Sequence, residues 1–434
     1  MTKNYQTKAA SVATAVEAVM PDAVSVTLAE VAGSLREGLL ALAVGTGFQV
    51  MDAIIDESVA VLAGPKGRHD PNRSAVRHGT EDGSVVLGGR RVPVRRPRVR
   101  TADRSAEVTV PAYELFSSTD VVSSMVLERM MAKLSTRRYA AGLEPVGAQI
   151  EATARSTSKS AISRRFVAAT ETALAEMLAA DLTELDLVAL MIDGVHFADH
   201  LCVVALGIGI DGTKHPLGLA EGDTENATVV RDLLADLRDR GLNTTRPILC
   251  VLDGAKALSA AVKAVFDHPV IGRCQLHKIR NVESKLPDKL ASTVAKKMRA
   301  AYHNPDALAA EATLEDLARQ LSKSHPGAAA SLREGLAETL TVSRLGVPPT
   351  LARTLRSTNA VESMIEICRD HATNVKRWRD GKMALRWCAA GMLEAAKQFR
   401  RVNGFLHLPA LRDALDHRVA GTVTPPCEDD HVAA

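Results

Sequence analysis

Three acids far apart in the 434-residue chain have the setting that metal-assisted chemistry at phosphorus requires. Asp193 closes the apolar run of LMIDGVHF, Asp253 closes that of CVLDGAKAL, and Glu362 stands early in TNAVESMIE. Short apolar runs of the first two kinds predict strands, so both aspartates fall at strand tips. Hard cations such as Mg²⁺ take oxygen ligands and keep several waters, so a few carboxylates suffice to hold them. Two such ions about 3.5–4 Å apart activate a nucleophile and steady the leaving oxygen of an in-line displacement. Asp-Gly after a strand is more often a plain turn, and only the joint pattern is specific. Glu366, one helical turn beyond Glu362, competes for the third position, with Asp223 and Glu225 as weaker rivals.

The elements that must position these acids follow from the patterning. LDLVALMID, HLCVVALGIG, HPLGLAEG, RPILCVLDG and HPVIGRC are five strand-like runs. A helix over 226–240 separates the third from the fourth, and one over 255–266 separates the fourth from the fifth. Three strands, a helix, a strand, a helix and a strand predict a mixed α/β sheet with the order of a ribonuclease-H-like core. In that fold the tips carrying Asp193 and Asp253 are neighbours. From Asn281 to Leu345 the chain reads as helical throughout, an all-α insertion. A new helix then opens near Thr358 or Asn359, either of which can cap it, and places Glu362 in its first turn. A last helix spans about Met383–Phe399 and leads into a polar tail.

Other residue types near these segments carry blander readings. Cys274 and His277 stand as RCQLHKIRN, but no second Cys or His pair has zinc-site spacing, so a packing or hydrogen-bonding pair beneath the site is expected. Arg273, Lys278 and Arg280 beside them are candidates to meet phosphate. His196, three residues after Asp193, is either a ligand-orienting group or a satisfied polar side chain. Trp387 lies in a helical apolar pattern and reads as core, whereas Trp378 in KRWRD suits base stacking among cations.

The charge distribution is more telling than the formal +3. Between Lys66 and Arg104, eleven Lys and Arg face four acids, a local excess of +7 that suits a polyanion. Residues 64–84 read as a loop, followed by a hairpin in VVLGGRRVPVRRPRVR that turns at Gly88-Gly89. Pro93 and Pro97 confine its second strand to an edge. Arg90, Arg91, Arg95, Arg96, Arg98 and Arg100 on this arm are candidate DNA contacts. Helices are expected over about 24–44, 48–62 and 118–134. A short helix, a turn and a longer helix within 144–182 fit a helix-turn-helix reader, with Lys159, Ser163, Arg164 and Arg165 near the second helix's start. A further basic stretch offers Lys376, Arg377, Trp378 and Arg379.

Composition narrows the class. No apolar run reaches membrane-spanning length, and the N-terminus lacks the pattern of a signal peptide. Six scattered cysteines, three in apolar stretches, suit buried thiols in a reducing cytoplasm.

MIDGVHF, ALGIGIDGTKHPLGLAEGDTENATVVRDLLADLRDRGL, CVLDGAKALSAAVKAVF, GRCQLHKIRNV and RSTNAVESMIEICRD occur in this order between about Leu187 and Phe399. In that order and spacing the chain resembles the Mutator-type transposases of bacterial insertion sequences, a DDE family. The resemblance implies a ribonuclease-H-like catalytic domain with an all-α insertion between the second Asp and the Glu. It also implies Asp193, Asp253 and Glu362 as catalytic metal ligands for Mg²⁺, with Mn²⁺ substituting. Cys274 and His277 match the family's Cys-x-x-His signature. The first motif departs from the aromatic and Lys or Arg that many members carry, which bears on His196 and not on Asp193. The implied partners are double-stranded DNA, as terminal inverted repeats and target, and a second copy of the chain, with no membrane. The implied place is the bacterial cytoplasm, at the nucleoid. A structure-specific nuclease and a non-catalytic DNA-binding regulator are the alternatives.

The expected organisation is a helical region over 1–64, a basic β-arm over 65–117 and a helix-turn-helix-like domain over 118–184. The catalytic core then occupies 185–280 and 351–405, the insertion 281–350 and a tail 406–434.

Overall fold

The structure, a computed structural model, describes residues 46–420 except 69, 71, 88, 140–142, 144–151, 156–157 and 223–225. The helix expected over 24–44, the Gly88 half of the hairpin turn, Asp223, Glu225, Cys427 and most of the first helix-turn-helix helix lie outside the described residues. The chain divides into two compact units, one reaching Met130 and including Leu134–Phe166, the other comprising Met131–Lys133 and everything from Val167 onward.

In the first unit, helix α1 (46–63) buries Met51, Ile55, Val59 and Ala63, a four-residue spacing that makes one apolar stripe. That stripe joins Val85, Val99, Val110 and Tyr113 in one cluster. The sheet beneath is β1 (Ala75–Leu87), β2 (Arg90–Thr101) and the short β3 (Glu107–Val108), in that order and antiparallel. Residues 75–84, expected as loop, are therefore strand. Their polar character reflects cross-strand pairing of opposite charges, with Glu81 facing Arg96 and Asp82 facing Arg95. The turn uses Gly89 at φ +75°, as hairpin turns of this kind require. β3 pairs only with Val99 and Arg100, so Pro93 and Pro97 have a strand on one side alone. Helices α2 (Pro111–Ser117) and α3 (Thr119–Met131) follow, and α4 (Lys159–Ala179) begins in this unit and continues past Phe166 into the second.

The second unit is built on a five-stranded sheet: β4 (Leu187–Phe197), β5 (His200–Gly209), β6 (Lys214–Gly222), β7 (Ile248–Leu252) and β8 (Pro269–Arg273), in the order β6-β5-β4-β7-β8. β4, β5 and β6 are antiparallel neighbours, whereas β7 and β8 run parallel to β4. Helix α5 (Ala227–Asp239) links β6 to β7, and α6 (Lys256–Val265) links β7 to β8. Leu190 and Ile192 of β4 join α5 and α6 in one apolar cluster. Side chains alternate along a strand, so Ala189, Met191 and Asp193 face the opposite side. Met191 and Ile192 are both fully buried, so layers cover both faces and the run loses its polar alternation.

A run of helices follows: α7 (Gln275–Glu283), α8 (Asp288–Tyr302), α9 (Ala307–Ser322), α10 (Pro326–Arg333), α11 (Leu336–Thr339) and α12 (Thr341–Arg344). All but α12 share one apolar cluster of their own, drawn from α7 to Leu340. The chain returns to the sheet through α13 (Pro349–Leu355), α14 (Asn359–His371) and α15 (Gly381–Gln398), with α14 against β4 and α15 against β5 and β6.

Part of the expected polar tail is structured. A 3₁₀ turn (Phe405–His407) leads into α16 (Leu408–Ala420), whose Leu408, Leu411 and Leu415 are fully buried. The buried Arg412 fastens it to the sheet, donating to Asp186 (2.7 Å) and to the carbonyls of Leu187 (2.6 Å) and Pro247 (2.7 Å). Among the described residues no helix is long and apolar enough to cross a membrane. Arg412→Ala strands two buried carbonyls and should cost about 2–4 kcal/mol. An unchanged urea midpoint would show that this anchor does not hold α16.

Candidate active site

β4 and β7 are in parallel register, the last bonded pair being Met191 and Val251. Two residues further along each chain segment stand Asp193 and Asp253, so the register brings them side by side where β7 ends. Asp253 directly follows β7, whereas Asp193, expected at a strand tip, lies within β4 opposite Val204 of β5, because antiparallel pairing carries β4 on to Phe197. Each carboxylate is steadied locally. Asp193 Oδ1 accepts from Gly194 N at 2.8 Å, and Asp253 Oδ1 accepts from Ala255 N at 2.7 Å. Burial pushes the Asp193 carboxyl above its usual range, with Asp253 and Glu362 adding repulsion. The pleat turns Asp193 toward the α14 side of the sheet, where Glu362 is in the first helical turn. The same pleat turns His196 to the other face, and it is exposed. Glu366 is exposed and makes no ion pair among the described residues, whereas Glu362 is half-buried among polar partners.

Those partners form a tight cluster. The side-chain ligand atoms of Cys274, His277 and Glu362 lie within 4.8 Å of one another. At its centre is the fully buried Thr358, whose Oγ1 donates to Glu362 Oε1 at 2.5 Å. The same hydroxyl lies 3.3 Å from Cys274 Sγ and 3.4 Å from His277 Nδ1. Thr358 is the N-cap residue of α14, yet its side chain caps nothing. The hydroxyl that would ordinarily satisfy a helix N–H is turned to the carboxylate instead. Arg280 approaches the other oxygen, Oε2, at 4.0 Å. The hydrogen bond to Cys274 raises the His277 pKa. Burial alone would raise the thiol, but hydrogen bonds from His277 and Thr358 outweigh it and leave Cys274 below its ordinary value. Sulfur, nitrogen and oxygen are a donor set for a soft cation. Here the Thr358 hydroxyl links the three. The carboxylates of Asp193, Asp253 and Glu362 are the hard oxygen donors that fit Mg²⁺ or Mn²⁺.

Two devices hold these pieces in place. Cys274 N donates to Leu252 O at 2.7 Å, and Gln275 N to Arg356 O at 3.0 Å, so α7 is tied both to the strand before Asp253 and to the chain before α14. Arg273 is buried and donates to the Glu334 carbonyl (3.1 Å) and carboxylate (3.3 Å). Two glycines make room for it. A Cβ on Gly254 (φ +107°) would stand 2.1 Å from its Nε, and one on Gly335 (φ +61°) 2.4 Å from a terminal nitrogen. Lys278, fully buried, donates to the carbonyls of Ser331 (2.5 Å) and Glu334, and burial brings its pKa down to about 8. Arg273 and Lys278, expected to meet phosphate, are thus spent on joining the insertion to the sheet. On the far side of α14, Gly391 of α15 lets the helices touch, since a Cβ there would lie 2.8 Å from Cys368 Cα.

The expected DNA contacts fall in different settings. Arg90 is buried, and Arg91 donates to Ser84 Oγ (2.8 Å) and Ser117 O (2.7 Å). Arg95 pairs with Asp82, Arg96 with Glu81 and Glu107, and Arg98 with both glutamates. Arg100 donates to the Arg104 carbonyl. Lys159, Ser163 and Arg164 are exposed on α4, with Arg165 half-buried. Lys376 and Arg377 are exposed in an irregular segment, where Arg379 pairs with Asp380 (2.9 Å). Trp378 packs on Phe197 of β4 (4.8 Å between centroids) and edge-on to Trp387 (6.3 Å).

Comparison with known proteins decides the family. The profile described as Transposase, Mutator family, matches residues 26–402. The chain belongs to the Mutator family of transposases. It is 25% identical to the transposase for insertion sequence element ISRM5 of Rhizobium meliloti (strain 1021), over 84% of this chain and 89% of that one. It is 29% identical to a probable insertion-sequence transposase of Corynebacterium diphtheriae, over 49% of this chain and 65% of that one. Identity is also 29% to the transposase for IS6120 of Mycolicibacterium smegmatis, over 54% of this chain and 72% of that one.

Within this transposase, Thr358 and the Gly254–Arg273–Gly335 clamp are the parts that motif reading overlooks. Thr358 has only its capping type to mark it. Thr358→Val, nearly isosteric, should lower transposition at least about tenfold, the effect of about 1.4 kcal/mol at the transition state. Thr358→Ser should stay near wild type. Equal frequencies for the Val and Ser variants would remove the hydroxyl from the site.

Proposed function

We propose that this chain is a DDE transposase that cuts and joins DNA at a site made by Asp193, Asp253 and Glu362. The observation that carries the reading is the convergence of the three acids. Parallel register sets two of them side by side, and the first turn of α14 brings the third to the same face of the sheet. The strand order β6-β5-β4-β7-β8, with three antiparallel strands followed by two parallel ones, supports a ribonuclease-H-like core. The all-α segment between Asp253 and Glu362 supports the family's insertion.

The three carboxylates would hold Mg²⁺ or Mn²⁺, which when bound lowers the pKa of water and neutralises charge at phosphorus. The protein's share is position and charge. Backbone hydrogen bonds fix Asp193 within β4 and Asp253 just past β7, and Thr358 fixes one oxygen of Glu362. Arg280, exposed and within 4.0 Å of Glu362, is suited to meet a phosphate near the site. Water attacks the phosphodiester at the element's end and frees a 3′-hydroxyl, which then attacks a second phosphodiester in strand transfer. In-line chemistry of this kind depends on alignment more than on covalent help from the protein.

The DNA would be the terminal inverted repeats and the target, bound by a pair of chains in the cytoplasm. Exposed Lys159, Ser163, Arg164, Lys376 and Arg377 are the best-placed backbone contacts. The arm's Arg95, Arg96 and Arg98 would have to exchange exposed carboxylate partners for phosphate, a small cost for surface pairs.

Asp193→Asn, Asp253→Asn and Glu362→Gln should each lower Mg²⁺-dependent cleavage of an inverted-repeat duplex by about 10²–10³-fold or more. Binding of that duplex should persist, and Glu366→Gln should cleave normally. A Glu366→Gln variant as inactive as Glu362→Gln would reassign the third acid. Cleavage with a precut end that yields no joined product would favour a nuclease.

A further inference from the structure

A small cavity beside the start of α14 gathers positive charge without a carboxylate in its wall. It has a volume of about 180 Å³. Arg299 and His303, at the end of α8, supply one side, and Arg353 and Arg356, at the end of α13, supply the other. Leu276 and Ile279 of α7 contribute an apolar floor. No Asp or Glu lines it, in contrast to the larger cavity behind α6, where Glu334 and Glu338 face Lys256, Lys263 and Arg273.

One of these cations, Arg356, is held in place by its neighbours. Arg356 donates to the Tyr302 carbonyl at 3.4 Å and lies 3.5 Å from His303 Nε2. His303 Nδ1 in turn is 2.6 Å from the Arg299 carbonyl. An N–H at Nδ1 leaves Nε2 as an acceptor, so the imidazole orients the guanidinium of Arg356. Arg353 makes no hydrogen bond or ion pair among the described residues, and it lies close enough to Arg356 to repel it. Arg299 has one distant acid, Glu283 at 3.9 Å. Folding has thus brought like charges together around a space and fixed one of them in advance. That arrangement is unfavourable until an anion enters, and pre-orientation reduces the ordering cost when it does. A guanidinium fork matches the oxygens of a phosphate.

The position gives the anion its class. Ser357 and Asn359 line the cavity, while Thr358 between them turns away to hold Glu362. The wall of the space therefore flanks the residue that holds Glu362, one of the proposed catalytic acids.

We propose that this cavity seats a backbone phosphate of the DNA, with Arg353 and Arg356 as its principal ligands, and so anchors the duplex next to the acids. The inference rests on the transposase reading. The test is fluorescence anisotropy of a labelled inverted-repeat duplex against the full-length chain, across a series of KCl concentrations. Arg353 is exposed, and Arg353→Ala should fold with an unchanged melting temperature. It should weaken binding about tenfold and reduce the slope of log affinity against log salt by about 0.9, the loss of one phosphate contact. Arg353→Lys should recover part of the affinity. Asp193→Asn should bind as wild type does, which separates anchoring from catalysis. If Arg353→Ala matches wild type in affinity and slope, the seat is refuted. It is refuted equally if inorganic phosphate or a free nucleotide protects the chain thermally through Arg353 while duplex binding is unaffected by the variants. A wild-type chain that binds no inverted-repeat duplex would refute the transposase reading itself.

Discussion

The site depends on one alignment, the parallel pairing of β4 with β7. Two carboxylates that repel each other are set side by side because the strands carrying them cannot slip without turning every neighbouring side chain to the wrong face. Burial pushes the Asp193 carboxyl up, and repulsion from its neighbours adds to that. The apolar layers on both faces of the sheet supply the stabilisation that tolerates it. A structure that retains such a conflict at a solvent-accessible edge is organised to receive positive charge.

The third acid poses a different problem, because a long helical segment separates it from the second. The solution is a set of buried cations used as fasteners. Arg273 and Lys278 reach from the end of β8 and from α7 to carbonyls at the end of α10, where only glycines leave room for the guanidinium. Backbone hydrogen bonds then join α7 to the chain that leads into α14. The helical segment is thereby a continuation of the sheet's edge, and the return of Glu362 is fixed at both ends of its long excursion.

Much of this is legible in the sequence. The five strand-like runs and two helices lie where their patterns place them, since each is either a continuous apolar run or a clear four-residue repeat. Asp253 and Glu362 are marked by their places at a strand end and a helix start, whereas Asp193, read as a strand end, lies within β4 because the pairing with β5 runs on to Phe197. What escapes reading shares a cause. The clamp around Arg273 and the hydroxyl of Thr358 act through contacts between residues tens of positions apart, which no local pattern records. The strand over 75–84 is hidden because its residues lack apolar alternation and face charged partners on β2. The excess of +7 on the arm ignores the same pairs, and it also leaves out Glu107, which lies just beyond the counted stretch. The helix at 408–420 is masked by flanking polar residues, although Leu408, Leu411 and Leu415 mark its buried side.

The glycine at 391 has a bearing on how the site can move. With no side chain between them, the backbones of α14 and α15 meet directly at Cys368, and α15 in turn lies on β5 and β6. A helix seated that closely has no cushion of side chains across which to roll or slide. Adjustment of the Glu362 carboxylate relative to the sheet is then left to rotation about its own side-chain bonds. The carboxylate is a short lever on a fixed mount, and the number of ways it can reach its partners is correspondingly small.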